Sequence, residues 1–327
     1  MKILTLRVEN GDGEVRLDRW IKRQNAQFTQ GIIQKLCRTG QIRVNGKRVQ
    51  ASVHLFPENI VRFPEIMNDP SSSLAHKTRP IPNILQNEIA QWILYEDEDV
   101  FVLNKPSGIA VQGGSNILHH VDGALEVLQG RSKFRPTLVH RLDKDTSGIL
   151  LIAKHPAAAS KLAASFRGRN VKKTYWAVTI RRPSPLSGRI VLPLVKKESQ
   201  YGSFMQPTSQ KDKDGLYAET EYQVKEFAAR KFAWVELYPL TGRMHQLRVH
   251  CAEMNTPILG DKKYCKDVTV IDGFPDKLHL HARMIEIPHP SGGRLIAEAP
   301  LPRHMKDTFR CLGFTCPELK KAYRVNR

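Results

Sequence analysis

The stretch His140-Arg141-Leu142-Asp143-Lys144-Asp145-Thr146-Ser147-Gly148, followed by Ile149-Leu150-Leu151-Ile152-Ala153, holds the densest chemistry of the chain. A charged loop runs directly into an apolar run of strand length, and Leu138-Val139 precede it. Asp143 therefore stands on a short loop at the end of buried strands, where a rigid scaffold commonly presents catalytic groups. Four readings compete for it. In the plainest, Asp143 caps a turn or pairs with Arg141. In the second, Asp145-Thr146-Ser147-Gly148 imitates an aspartic-protease signature. That chemistry needs two carboxylates sharing a proton and an apolar strand directly before the aspartate. Charged residues precede Asp145 and the motif has no second copy, so this reading fails. In the third, Asp143 and Asp145 bind a metal, but with no accompanying ligand cluster they form a weak donor set. In the fourth, Asp143 is a nucleophile or base acting on an RNA base.

Further along the chain, strand-like runs recur at Trp92–Tyr95, Val100–Leu103, Thr174–Ile180, Ala218–Val224, Phe232–Leu237 and Ile285–Ile287. Helical spacing occurs at Ala159, Leu162, Ala163 and Phe166, and again over Gln246–Met254. Strands outnumber helices without alternating regularly with them, which predicts an α+β fold with a mixed or antiparallel sheet. A second cluster is Thr241-Gly242-Arg243-Met244-His245-Gln246-Leu247-Arg248-Val249-His250. Gly242 permits a sharp entry to a helix that would turn Arg248 into a cleft. There it could pair with Asp143 and favour the charged carboxylate. His245 and His250 are five residues apart, wrong for a metal site on one helical face. His279 and His281 would share a strand face and read as structural histidines or minor substrate contacts. In Lys172-Lys173-Thr174-Tyr175-Trp176, one aromatic belongs to the core and the other is free to stack on a base. Spacing alone leaves open which is which.

Residues 15–63 form a basic module, with ten lysines and arginines opposed only by Asp18 and Glu58. Leu17, Trp20, Ile21 and Gln24 follow helical spacing. Thr29 is a candidate cap for a second helix that turns Ile32, Ile33, Leu36 and Cys37 inward and ends before Gly40. Gln41–Val44 alternates like a strand, and Asn45-Gly46 signals a type I′ hairpin continued by Val49. Arg19, Arg23, Lys35, Arg38, Arg43 and Lys47 would then contact phosphates without an evident base code. The module resembles an S4 domain, a small RNA-binding fold. Prolines and serines at 64–90 read as a linker.

The later clusters, together with Pro257-Ile258-Leu259-Gly260-Asp261, resemble the RluA family of pseudouridine synthases over roughly residues 93 to 300. The S4-like front and Val111-Gln112-Gly113-Gly114-Ser115, after Lys105-Pro106-Ser107-Gly108, are most similar to its RluC branch. Gln112 stands where that branch often has His. The resemblance implies a small S4-like domain (1–63), a linker (64–90), a pseudouridine synthase domain (91–302) and a basic C-terminal extension (303–327). It implies an isomerase that needs no cofactor or metal and acts on uridines of large-subunit ribosomal RNA, free or in an assembling subunit. Asp143 would be the catalytic carboxylate, attacking sugar or ring or removing a proton. Tyr175 would pack on the uracil, Arg248 would pair with Asp143, and Arg141 would fill the gap left by the target nucleotide. Thr146, Arg243, His245 and Gln246 are expected to contact substrate. A binding-only ribosome-assembly factor and a metal-dependent nuclease are the competing classes; the intact set Asp143, Tyr175 and Arg248 speaks against the first.

Composition agrees with these expectations. The 327 residues are 41% hydrophobic and 25% charged, with a formal net charge of +19. That balance is globular, long enough for two domains, and points to a polyanionic partner. No apolar run reaches the roughly 18 residues of a membrane span, and the first residues are too short an apolar stretch for a signal peptide. Five cysteines without close pairs suggest a reducing compartment, hence the cytoplasm. A monomer is expected. The C-terminal stretch 303–327 reads as a terminal helix plus a basic tail.

Overall fold

The computed structural model describes residues 3–9, 14–25, 27–65, 83–113, 119–199, 202–209, 212–265, 271–317 and 323–326. The chain divides into two units, residues 1–80 and 81–327. In the first, β1 (Ile3–Arg7) and β2 (Val15–Arg16) lead into α1 (Leu17–Gln24) and α2 (Gln30–Arg38). Then come β3 (Arg43–Val44), β4 (Lys47–Arg48), β5 (His54–Leu55) and β6 (Ile60–Pro64), with the sheet ordered β1-β6-β3-β4. The expected cap is present: Thr29 Oγ1 accepts from the Ile32 amide at 3.3 Å. Asn45 and Gly46 take positive φ of 49° and 77°, as a type I′ hairpin requires. The apolar stripe is narrower than expected. Ile33, Leu36 and Cys37 are buried, but Ile32 and Gln24 face solvent. Trp20 and Phe28 both pack edge-on against Phe63, at 6.2 and 5.8 Å, and centre this core.

Most of the expected linker lies at 66–82, outside the described residues. Its two ends belong to the units themselves. Pro64 pairs with Ile3 in the first sheet. Asn83–Ile89 form α3, which buries Leu85 and Ile89 in the second unit. That unit continues through β7 (Ile93–Glu96), β8 (Val100–Lys105), α4 (Val121–Ala124), β9 (Thr137–Leu138) and β10 (Ser147–Ala153). Next are α5 (Pro156–Arg167), β11 (Lys172–Ile180), β12 (Ser187–Val191), β13 (Leu194–Ser199) and β14 (Gly202–Pro207). It ends with β15 (Glu219–Ala228), β16 (Phe232–Pro239), α6 (Gln246–Glu253), β17 (Leu280–Pro288), β18 (Arg294–Glu298), α7 (Arg303–Leu312) and β19 (Tyr323–Asn326).

The main sheet runs β12-β15-β16-β11-β17-β10-β8-β7, with β9, β18 and β19 alongside. It is mixed: β10 and β17 are parallel, while β10–β8, β11–β16 and β11–β17 are antiparallel. Strand β10 is apolar throughout because both its faces are covered. Leu150 and Ile152 join one core with Ile89 and Leu125, whereas Ile149 and Leu151 join the opposite core with Leu162. The expectation of a C-terminal extension beyond residue 302 is corrected. Helix α7 plants Met305 and Phe309 against Trp176 and Trp234, so it is part of the second unit's core. Strand β19 pairs with β18. Lys320, Lys321 and Arg327 of the expected basic tail lie outside the described residues.

Candidate active site

Lys105, at the end of β8, has no exposed surface. Its Nζ donates to the carbonyls of Pro106, Ile109 and Lys144 at 2.8, 2.9 and 3.0 Å. Ser107 Oγ donates to Asp145 O at 2.7 Å, and Gly108 N to Lys144 O at 3.0 Å. The Lys105–Ile109 turn thus braces the loop that carries Asp143. Burial pushes the Lys105 pKa down to about 7, although the charges of Asp145 and Asp143 oppose it. On the far side of the loop, Ser147 Oγ and His281 Nδ1 lie 2.9 Å apart. His281 and His279 are fully buried and hydrogen-bonded, so both are structural.

The loop opens onto a cleft of about 580 Å³ that the second unit forms by itself. Asp143, Tyr175 and Arg248 all line it, as do Arg141, Thr146, Arg243, His245 and Gln246. Tyr175 reaches it from β11 beside a register shift between Thr174 and Tyr175. A bulge of this kind re-aims a side chain. Trp176 is the core aromatic, 5% exposed, with Nε1 donating to Glu236. Burial, with the Asp143 charge adding to it, raises the pKa of the Tyr175 phenol well above its ordinary value. Arg141 is exposed at the cleft.

Helix α6 does turn Arg248 into the cleft, but the hydrogen-bonded partner is a different carboxylate from the one expected. Arg248 Nε and NH2 donate to Asp261 Oδ2 and Oδ1 at 2.8 and 2.6 Å, with the Asp261 side chain fully buried. Burial disfavours the guanidinium charge, yet Asp261 and the more distant Asp143 outweigh it and raise the Arg248 pKa. Asp143 thus acts on Arg248 through space. Gln246 is likewise committed elsewhere. Its Oε1 accepts from Thr241 Oγ1 and the Arg243 amide, and its Nε2 donates to Glu219 O and Thr220 Oγ1. It ties the 241–243 turn to β15 rather than offering free polar atoms. Arg243 leans on the Tyr217 carbonyl at 2.9 Å. Thr146 Oγ1 is buried with no hydrogen-bond partner among the described residues. His250 points away, against Thr220 Oγ1 and Leu192 O, so it shares no ligand position with His245.

Several cleft residues escaped the sequence reading. Arg167, the last residue of α5, and Arg169, just beyond it, line the cleft with Lys173. Burial lowers the Lys173 pKa to about 8. Lys173 lies inside the Lys172–Trp176 cluster already singled out, so a signal existed; Asp261 closes the Pro257–Asp261 motif, but no spacing marks it as the partner of Arg248. In the first unit Arg19, Arg23, Lys35, Arg38 and Lys47 are exposed as expected. Arg43 is half-buried and donates to the carbonyls of Gly40 and Gly46, stitching the hairpin. Arg38 lines a separate cavity of that unit with Arg16 and Arg48.

A mixed sheet with an open cleft is the setting, and the relatives place the chain in the RNA pseudouridine synthase family. The family described as RNA pseudouridylate synthase matches residues 99–253, and the S4 domain matches 15–60. The ribosomal large subunit pseudouridine synthase C of Rickettsia bellii (strain RML369-C) is 36% identical, over 88% of this chain and 95% of that protein. The protein of the same name from Vibrio cholerae serotype O1 is 34% identical, over 89% and 91%. Among solved structures, human RNA pseudouridylate synthase domain containing 4 superposes with a TM-score of 0.62 at 30% identity, covering 72% of this chain and 98% of that one. The protein is thus an enzyme that isomerises uridine to pseudouridine in RNA.

Proposed function

We propose that the substrate uridines lie in large-subunit ribosomal RNA and that Asp143 is the catalytic carboxylate. The observation that carries this is the convergence of Asp143, Tyr175 and Arg248, far apart in sequence, on one cleft. The reaction breaks the bond from ribose to uracil N1, turns the ring, and joins C5 to the ribose while the C5 hydrogen leaves. Nothing is oxidised or reduced, so the chemistry calls for no redox cofactor. The phenol of Tyr175 stays protonated at neutral pH and packs on the uracil. Arg248, held by Asp261, places a fixed cation near Asp143. The uridine must leave its stack, at a cost of a few kcal/mol, and exposed Arg141 fills the gap it leaves. Arg243, Lys173, Arg167 and Arg169 supply cations for flanking phosphates, while Arg19, Arg23, Lys35, Arg38 and Lys47 hold RNA on the S4 unit. The enzyme works as a monomer in the cytoplasm. Among the described residues no helix is long and apolar enough to cross a membrane.

The test is tritium release from C5-labelled large-subunit RNA in EDTA. Wild type should release tritium, and Asp143→Asn should release none while binding the RNA normally. Release by Asp143→Asn, or equal loss of binding and release in a folded variant, contradicts the role given to Asp143.

A further inference from the structure

His245 occupies the entry to α6 with φ +51°, a left-handed conformation that His, with Asn and Asp, takes more readily than most non-glycine residues. Its ring lines the cleft, and its Nδ1 lies 2.7 Å from the hydroxyl of Tyr264. The hydroxyl already accepts from the Met205 amide at 2.9 Å. An amide can only donate, so that interaction leaves the hydroxyl proton for another acceptor. Nδ1 is its one acceptor among the described residues. A hydroxyl that donates this proton to Nδ1 requires Nδ1 to be unprotonated and the ring hydrogen to sit on Nε2. Nε2 has no hydrogen-bond partner among the described residues. We infer that Tyr264 is a positioning residue that locks His245 as its neutral Nε2–H tautomer, so that the cleft offers an uncharged donor to a neutral oxygen of the target nucleoside. This rests on the pseudouridine synthase reading of the cleft.

The surroundings agree. Burial lowers the His245 pKa; Arg248 and Lys263 push it the same way, while Asp143 and Asp261 oppose them. Tyr264 also carries the Arg248 guanidinium over its ring at 5.1 Å. One side chain thereby orients two cleft residues and ties them to β14 through Met205. The cations that phosphates need are supplied separately by Arg243 and Lys173, which leaves the neutral donor for a carbonyl or hydroxyl oxygen.

The experiment follows kcat for tritium release against pH. Tyr264→Phe frees Nδ1 to take a proton, so the acid limb of its profile should move to higher pH than in wild type. His245→Gln keeps an uncharged N–H near the Nε2 position. It should retain kcat within about tenfold and be insensitive to adding Tyr264→Phe at low pH, whereas His245→Leu should lose about 10- to 100-fold, as for one hydrogen bond that strengthens in the transition state. An acid limb unmoved by Tyr264→Phe overturns the proposal. So does a uniform loss at every pH that persists in the His245→Gln background, because that reports packing alone. A wild type that releases no tritium would instead overturn the reading of the cleft. Transcripts carrying 2-thiouridine or 4-thiouridine separate the acceptors. A thio penalty that vanishes in His245→Leu assigns a uracil carbonyl, and a penalty common to both enzymes assigns a ribose oxygen.

Discussion

At Gly148, φ is +109° and an added Cβ would strike the backbone of Ala282 in the adjacent parallel strand. Gly148→Ala should therefore cost more than about 2 kcal/mol, from the disfavoured dihedral plus the collision, and appear as a lower midpoint in urea unfolding. Gly260, with φ +76° and the Lys277 carbonyl where a Cβ would sit, similarly lets the chain turn so that Asp261 can face Arg248. Removing that charge by Asp261→Leu leaves a guanidinium buried without its partner and should cost about 3–5 kcal/mol in the same measurement. Replacing Lys173 tests the cleft charge. The Lys173 pKa is depressed to about 8, so the ammonium is present below that pH and lost as pH rises through it. KM for RNA should rise above pH 8 in wild type, and Lys173→Arg, which keeps its charge, should flatten that rise.

Elements followed their local patterns where packing demanded them. The Thr29 cap formed as read, and Thr29→Ala should cost about 1 kcal/mol, read as a lower thermal midpoint of the full chain. Strand β10 was legible as an apolar run because both its faces are buried. Hairpin β13–β14 was not, because Lys196, Lys197, Glu198 and Ser199 are exposed and show no apolar alternation. Strand β18 does alternate, with Leu295 and Ala297 buried, a pattern the sequence carries. A terminal helix within 303–327 is expected, and it forms over Arg303–Leu312. Its apolar face, Met305 and Phe309, was then open to reading as core, but its place beside Trp176 and Trp234 came only from the fold. On its outer face Arg303 and Arg310 flank Asp307 at 3.8 and 3.3 Å, exposed pairs worth little to stability.

For the molecule as a whole, a net charge of +19 makes RNA affinity dependent on salt. Each phosphate contact to single-stranded RNA contributes a slope of about −0.7 in log K against log salt. A Lys35→Ala, Lys47→Ala double variant should shallow the slope by about 1 to 1.5. It should leave kcat at saturating RNA unchanged, since neither residue belongs to the cleft. A slope equal to that of wild type would remove these two lysines from the RNA contact.

The sequence by itself determined the two-part organisation, the α+β class, the capped helix and hairpin of the S4 unit, and the carboxylate, tyrosine and arginine that meet in the cleft. Those are properties of local spacing and of residues whose chemistry is particular to a task. Tertiary structure alone decided that Arg248 pairs with Asp261, that Gln246 divides its hydrogen bonds between the 241–243 turn and β15, and that Tyr264 reaches both His245 and Arg248. Each of those joins elements separated along the chain. A buried polar group takes whichever partner the packed backbone brings within hydrogen-bond reach, and no local pattern records that choice.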